Sequence, residues 1–254
     1  MKKKLSKVST FHYFRLVFRG ILLIIGIVCY VMFQIRSLQD GVDNIPMARP
    51  FLAVVWAIFA FEMICRFFPS RVESPGCQKQ FAKNYIKTGK TEIVIADNHS
   101  TVLVALIWIT MNGVIGAFKL SGFLNDGIMI LICLFYAVCD MICILFFCPF
   151  QTWFLKNKCC SACRIYNWDY AMMFTPLFFV SGWYARSLLV LSVGLLFRWE
   201  ITVARHPERF SENTNEFLHC KNCNEKLCSH KKQLIGFRKE LAAFTKRRIE
   251  MLKK

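Results

Sequence analysis

Four stretches of this sequence are long enough and apolar enough to cross a bilayer, and they limit what else the chain can fold into. A hydrocarbon core about 30 Å thick is crossed by about 20 helical residues. Residues 16–35 (LVFRGILLIIGIVCYVMFQI), 50–68, 101–118 and 127–147 each supply such a run. Inside lipid every backbone N–H and C=O must find its partner within the protein, which for single segments means a helix. The expected fold class is all-α. It is a polytopic integral membrane protein with four transmembrane helices, then a C-terminal helical hairpin or a fifth span. Residues 1–205 form the transmembrane domain, with cytosolic loops at 69–100 and 149–170. Residues 206–254 form a cytosolic cysteine-containing tail that ends in a basic amphipathic helix.

The first span follows the basic start Met1-Lys2-Lys3-Lys4. No small-residue cleavage site stands out after it, so it is expected to remain as a span. Arg19 sits near its beginning, where a long cation can snorkel to the headgroups. Pro50 opens the second span, where a missing N–H costs nothing.

Charge placement sets the expected orientation. The net charge is +17 and the basic residues flank the apolar runs. Six Lys and Arg lie in the chain up to and including Arg19 and six lie in 66–100, against two in 36–49 and one in 119–126. Basic loops stay in the cytoplasm. The N-terminus is therefore expected inside the cell membrane, with 149–170 returning to the same side. The same placement points to anionic lipid headgroups as the partner of the positive charge, and away from nucleic acid. A short surface helix is expected from about Gln78 to Lys87.

Residues 171–197 are apolar apart from Arg186, too long for one upright span and too short for two. As a single span they would leave a tail with fourteen Lys and Arg outside. A hairpin or re-entrant element broken near Ser181-Gly182 keeps both ends inside. The hairpin is the reading favoured here, with its second arm over 184–203 and the C-terminus cytoplasmic.

Thirteen cysteines are a high count for 254 residues. Cys160-Ser-Ala-Cys163 and Cys220-Lys-Asn-Cys223 are two Cys-x-x-Cys pairs. Two such pairs can give a zinc ion its four thiolates. Nearby Lys158, Arg164, Lys221 and Lys226 favour the thiolate form. Cys148, Cys159, Cys228 and His219 are possible extra ligands. The metal expected is zinc, with an iron–sulfur cluster as the alternative, since it too uses four thiolates. A dithiol redox pair is a third reading. Cysteines within the spans, among them Cys139 and Cys143 on one helix face, are expected to pack as small apolar residues.

Glu62, Asp140 and Arg186 lie within apolar runs. Each costs roughly 2.5–3.5 kcal/mol to insert, so each is expected to face a partner or a wet cavity. Glu62 and Asp140 lie at similar depth. Arg66 follows Glu62 by four residues, the spacing of a same-face ion pair. Arg186 is the expected partner of Asp140. Together with Asn112 and Tyr184 these groups outline a polar pocket under the cysteine site, suited to a quinone headgroup, a proton or an anion. Trp153, Trp168, Trp183 and Trp199 are expected to be interfacial anchors.

The function read from these features is a multi-pass membrane protein with a membrane-proximal cytosolic cysteine cluster that binds a metal. The alternatives are a membrane thiol or quinone-linked oxidoreductase, and a transporter or scaffold with zinc-clamped loops. There is no Gly-x-x-x-x-Gly-Lys-Ser/Thr loop for nucleotide phosphates.

Overall fold

The computed structural model describes residues 7–40, 48–68, 80, 82–95, 98–155, 163–219 and 221. Among them the structure is helical, with no strand. Six α-helices follow in order: α1 Lys7–Asp40, α2 Ala48–Phe67, α3 Asn98–Leu120, α4 Asp126–Leu145, α5 Asp169–Phe174 and α6 Trp183–Arg205. All but α5 are long and apolar enough to cross a membrane, the pattern of a multi-pass membrane protein.

α1 packs chiefly on α4, and α2 on α6. The short α5 fits between α4 and α6. Their shared core includes Phe59, Met63, Met129, Ala137, Tyr170, Met173 and Leu195. The turn between α3 and α4 uses Gly122 at φ 85°, a left-handed conformation that suits glycine. Asn125 then caps α4 by accepting the Ile128 N–H at 3.0 Å. Its amide donates to the Tyr30 hydroxyl at 2.8 Å, which ties that end of α1 to the start of α4.

The segment after residue 168 is a hairpin. Its first arm is α5 followed by a 3-10 turn over Thr175–Phe179. Pro176 cannot donate an α-helical hydrogen bond, so the helix tightens and ends. Gly182 at φ 124° makes the bend, in backbone that side-chain-bearing residues rarely adopt. The arms can be registered against α2. Asp169 pairs with Arg66 near the end of α2, and Phe174 stacks edge-on against Phe59 further back. The first arm therefore runs antiparallel to α2. In the second arm Ser187 accepts from Trp56 Nε1, while Arg198 donates to the Phe67 carbonyl. The second arm thus runs parallel to α2. Both ends of the hairpin lie at the end of the bundle where α2 finishes.

That end is capped by polar chain. Residues 82–95 run against 206–219: Glu216 donates its N–H to the Ile86 carbonyl at 2.8 Å, and Val94 to Ser211 Oγ at 3.0 Å. Asn215, fully buried, holds the strap from within by donating to the Arg209 carbonyl and accepting from Ile86 and Phe217 N–H. Tyr166 packs with Trp199 and Phe210, joining the 163–168 turn to the same cap.

Two expectations change here. α1 begins well before residue 16, because Arg15 and Arg19 have partners inside the bundle that carry the helix inward. Of the helix expected over Gln78–Lys87, Gln80 is helical and Ala82–Asn84 form a 3-10 turn, while Tyr85 onward is extended along the strap; Gln78, Lys79 and Phe81 lie outside the described residues. The basic C-terminal helix expected over 231–254 lies outside the described residues.

Candidate functional site

A layer of charge crosses the bundle near its capped end. Arg15 and Arg19 are four residues apart, so they share one face of α1. That face meets α2 and α4. Arg15 donates to Glu62 Oε2 at 2.8 Å. Arg19 forks between two helices, donating to Glu62 at 3.0 Å and to Asp140 Oδ2 at 2.9 Å. Arg66 pairs with Asp169 at 2.6 Å. Three guanidiniums thus face three carboxylates. Arg19 is 3% exposed and the Arg66–Asp169 pair is buried, while Glu62 and Asp140 are part-buried. Removing one partner of such a buried pair leaves an uncompensated charge.

Tyr170, on α5, is the hinge of this layer. Its hydroxyl donates to Glu62 at 2.6 Å and accepts from Arg15 at 3.3 Å. The Arg66 guanidinium lies over its ring, 4.8 Å from the centroid. Burial, and then the Glu62 carboxylate, push the Tyr170 phenol above its ordinary value, which keeps the donor proton in place. His12, one turn before Arg15, is fully buried, and neither ring nitrogen has a hydrogen-bond partner among the described residues.

Two of the carboxylates, Asp140 and Asp169, also line a cavity of about 310 Å³. Trp108 and Met111 of α3 form one wall, and Phe135, Tyr136, Cys139 and Cys143 of α4 another. The floor comes from the 148–151 and 163–166 turns and from Met172 and Met173. The space exists because α3 rests mainly on the π-helical turn Phe150–Leu155 and the 3-10 turn Thr175–Phe179, and less on α4. Gly116 lets α3 approach that turn, where an added Cβ would run into the Phe179 ring. Met111 and Phe135 line the cavity and are also 39% and 53% exposed. Both lie near the middle of their membrane-crossing segments.

Four thiols face this space: Cys139, Cys143, Cys148 and Cys163. α4 stops at Leu145, and Pro149 disfavours helical backbone at Cys148. The chain folds back, so that Cys143 and Cys148 both line the cavity. The Gln151 N–H donates to Cys148 Sγ at 3.5 Å.

The residues singled out from sequence fall into three groups. Glu62 and Asp140 do meet, through Arg19. Glu62 does not take Arg66, and Arg19 does not snorkel, because α1 brings its own arginines to the same depth. Arg186 is exposed and far from its expected role, since Arg19 already occupies Asp140. Tyr184 is exposed beside Trp56 and Trp183. Asn112 is buried near the cavity, donating to the Trp108 carbonyl at 2.9 Å and accepting from the Tyr136 hydroxyl at 3.4 Å.

Of the four expected metal ligands, Cys163 is buried at the cavity wall. Cys160, Cys220 and Cys223 lie outside the described residues, as do Cys159 and Cys228. His219 ends the strap, half-buried. No group of three or more His, Cys, Asp or Glu able to hold a metal occurs among the described residues. Two tryptophans do more than anchor: Trp168 Nε1 donates to Glu200 at 2.7 Å, and Trp199 is buried against Phe210.

Arg15, Asp169 and Tyr170 were not singled out. The first two stand just outside the runs counted as spans. The spacing of Arg15 and Arg19 is the signal that points to a shared buried face. No family model, curated protein or solved structure matches the chain.

Proposed function

We propose that this membrane protein binds an amphipathic, lipid-dissolved molecule in the cavity between α3 and α4. The observation that carries the reading is the apolar cavity itself, whose lining includes Met111 and Phe135, part-exposed residues near the middle of their membrane-crossing segments. The volume lies at the small end of ligand sites, which run from about 300 to 1,000 Å³. The walls are apolar, and the polar groups Asp140, Asp169 and Gln151 are few. The carboxylates accept hydrogen bonds, so the preferred ligand has hydroxyl or amine donors at one end and an apolar body. Arg19 and Arg66 behind them already pair with both carboxylates.

The test is an organic extraction of protein purified in mild detergent. The expected result is one lipid-soluble species in stoichiometric amount, lost in Cys139→Trp, which fills the cavity. Bulk lipid alone, in the proportions of the surrounding membrane and unchanged by the substitution, would overturn the reading.

A second reading keeps the metal. Zinc held by Cys160, Cys163, Cys220 and Cys223 is favoured by the packing of Tyr166 on Trp199 and Phe210, which brings the 163–168 turn to the helix and strap that lead toward residue 220. Metal analysis decides it. The expected content is one zinc per chain, lost in Cys163→Ser and Cys223→Ser, and metal-free protein overturns it.

A further inference from the structure

We propose that the cavity between α3 and α4 takes a neutral, single-chain lipid whose head carries two hydroxyls, the chemistry of a monoacylglycerol. This rests on the ligand-binding reading above and names the ligand class. Three observations combine: unused acceptor atoms, a closed charge balance and the volume.

Asp140 on α4 and Asp169 at the start of α5 both line the cavity. Each commits one oxygen to an arginine, Asp140 Oδ2 to Arg19 at 2.9 Å and Asp169 Oδ1 to Arg66 at 2.6 Å. The second oxygens, Asp140 Oδ1 and Asp169 Oδ2, have no hydrogen-bond partner among the described residues. The Asp169 side chain is 5% exposed, and a buried acceptor without a donor is costly. An ionised carboxylate only accepts, so the missing partner is a donor. Two carboxylates on different helices, facing one space, call for two donors on one head. Hydrogen bonds to charged acceptors are the strong ones, so each hydroxyl counts.

The charge balance fixes the head as neutral. Arg15, Arg19 and Arg66 stand against Glu62, Asp140 and Asp169, three of each sign. An ammonium or a carboxylate brought among them would leave one charge uncompensated away from water.

The volume fixes the body. An apolar cavity of about 150 Å³ holds one benzene, so about 310 Å³ holds roughly a dozen non-hydrogen atoms. That is a glycerol ester with the first few methylenes of one chain. It is too little for a whole sterol or for two acyl chains. The rest of the chain would leave past Met111 and Phe135, the part-exposed lining residues near mid-span.

The test uses the full chain in detergent, stripped of lipid, and five probes: monoolein, oleyl alcohol, oleate, oleylamine and diolein. Lipid that stays with the protein after desalting is quantified by mass spectrometry over a range of probe concentrations. The expected result is one monoolein per chain, held at least tenfold more tightly than any other probe and lost in Cys139→Trp. Cys143→Phe fills the same space and serves as the control if Cys139→Trp does not fold. Oleyl alcohol bound as tightly as monoolein overturns the two-hydroxyl head. Oleate or oleylamine bound as tightly overturns the neutral head, and diolein bound as tightly overturns the single chain. Each of these, if lost in Cys139→Trp, leaves ligand binding standing. Retention of no probe above the Cys139→Trp level overturns this inference. The organic extract then separates the two readings: a stoichiometric species of another class keeps ligand binding, and bulk lipid alone removes it as well.

Discussion

Arg66 closes on Asp169 at 2.6 Å, joining the last turn of α2 to the first turn of the hairpin's short arm. Both side chains are 5% exposed, so neither charge has water to fall back on. Arg66→Ala and Asp169→Ala should each cost roughly 3–5 kcal/mol, the usual loss when one partner of a buried pair is removed. The double variant Arg66→Met/Asp169→Leu should recover most of it. Thermal unfolding in detergent reads all three. Equal losses in single and double variants would show that the pair is not the source.

The fork at Arg19 predicts an order. Arg19→Leu strips two carboxylates of a partner, whereas Arg15→Leu leaves Glu62 with Arg19 and Tyr170. Arg19→Leu should therefore lower the melting temperature more, and adding Asp140→Asn should restore part of the loss. A larger effect from Arg15→Leu would place the main contact elsewhere.

Gly182→Ala tests the bend. The cost comes from φ 124° and not from crowding, since a Cβ there meets open space. About 1–3 kcal/mol is expected for a side chain forced into such backbone. Gly113, in regular helix with equal space, is the control, and Gly113→Ala should be neutral or mildly stabilising.

The hairpin also fixes which segments share a membrane face. Single cysteines introduced at Thr88 and Glu212 should react together with a reagent that cannot cross the bilayer. One at Ser121, in the turn between α3 and α4, should react only from the other side. Labelling of Glu212→Cys and Ser121→Cys from the same side would remove the hairpin.

Buried Asn215 gives a fifth test. Its amide satisfies groups on both halves of the strap, so Asn215→Ala should cost about 1–3 kcal/mol. Faster hydrogen exchange at Ile86 and Phe217, with α4 unaffected, would locate that loss in the cap.

The helical class, the spans and the break near Ser181-Gly182 were legible because each follows from length and hydropathy, which are local. The pairing of charges was not. Arg66 stands four residues from Glu62, and local spacing alone couples them, yet packing gives each a different partner. Depth was the better guide: Glu62 and Asp140 were placed at one level, and Arg19 lies one turn from the same face. Arg186 does not reach Asp140, which is held by Arg19, and is exposed on α6. The cavity could not be read at all, since it is set by where α3 rests on two short turns.

The charge layer also bears on how the chain is made. Synthesis proceeds from the N-terminus, so α1 emerges carrying Arg15 and Arg19 before either has a counter-ion. Glu62 arrives 43 residues after Arg19, and Asp140 only 121 residues after it. Until α2 docks, the first helix has no intramolecular reason to bury its arginines. Its final depth is therefore acquired late, as a product of assembly, and its earliest membrane contact is shallower than its place in the finished bundle.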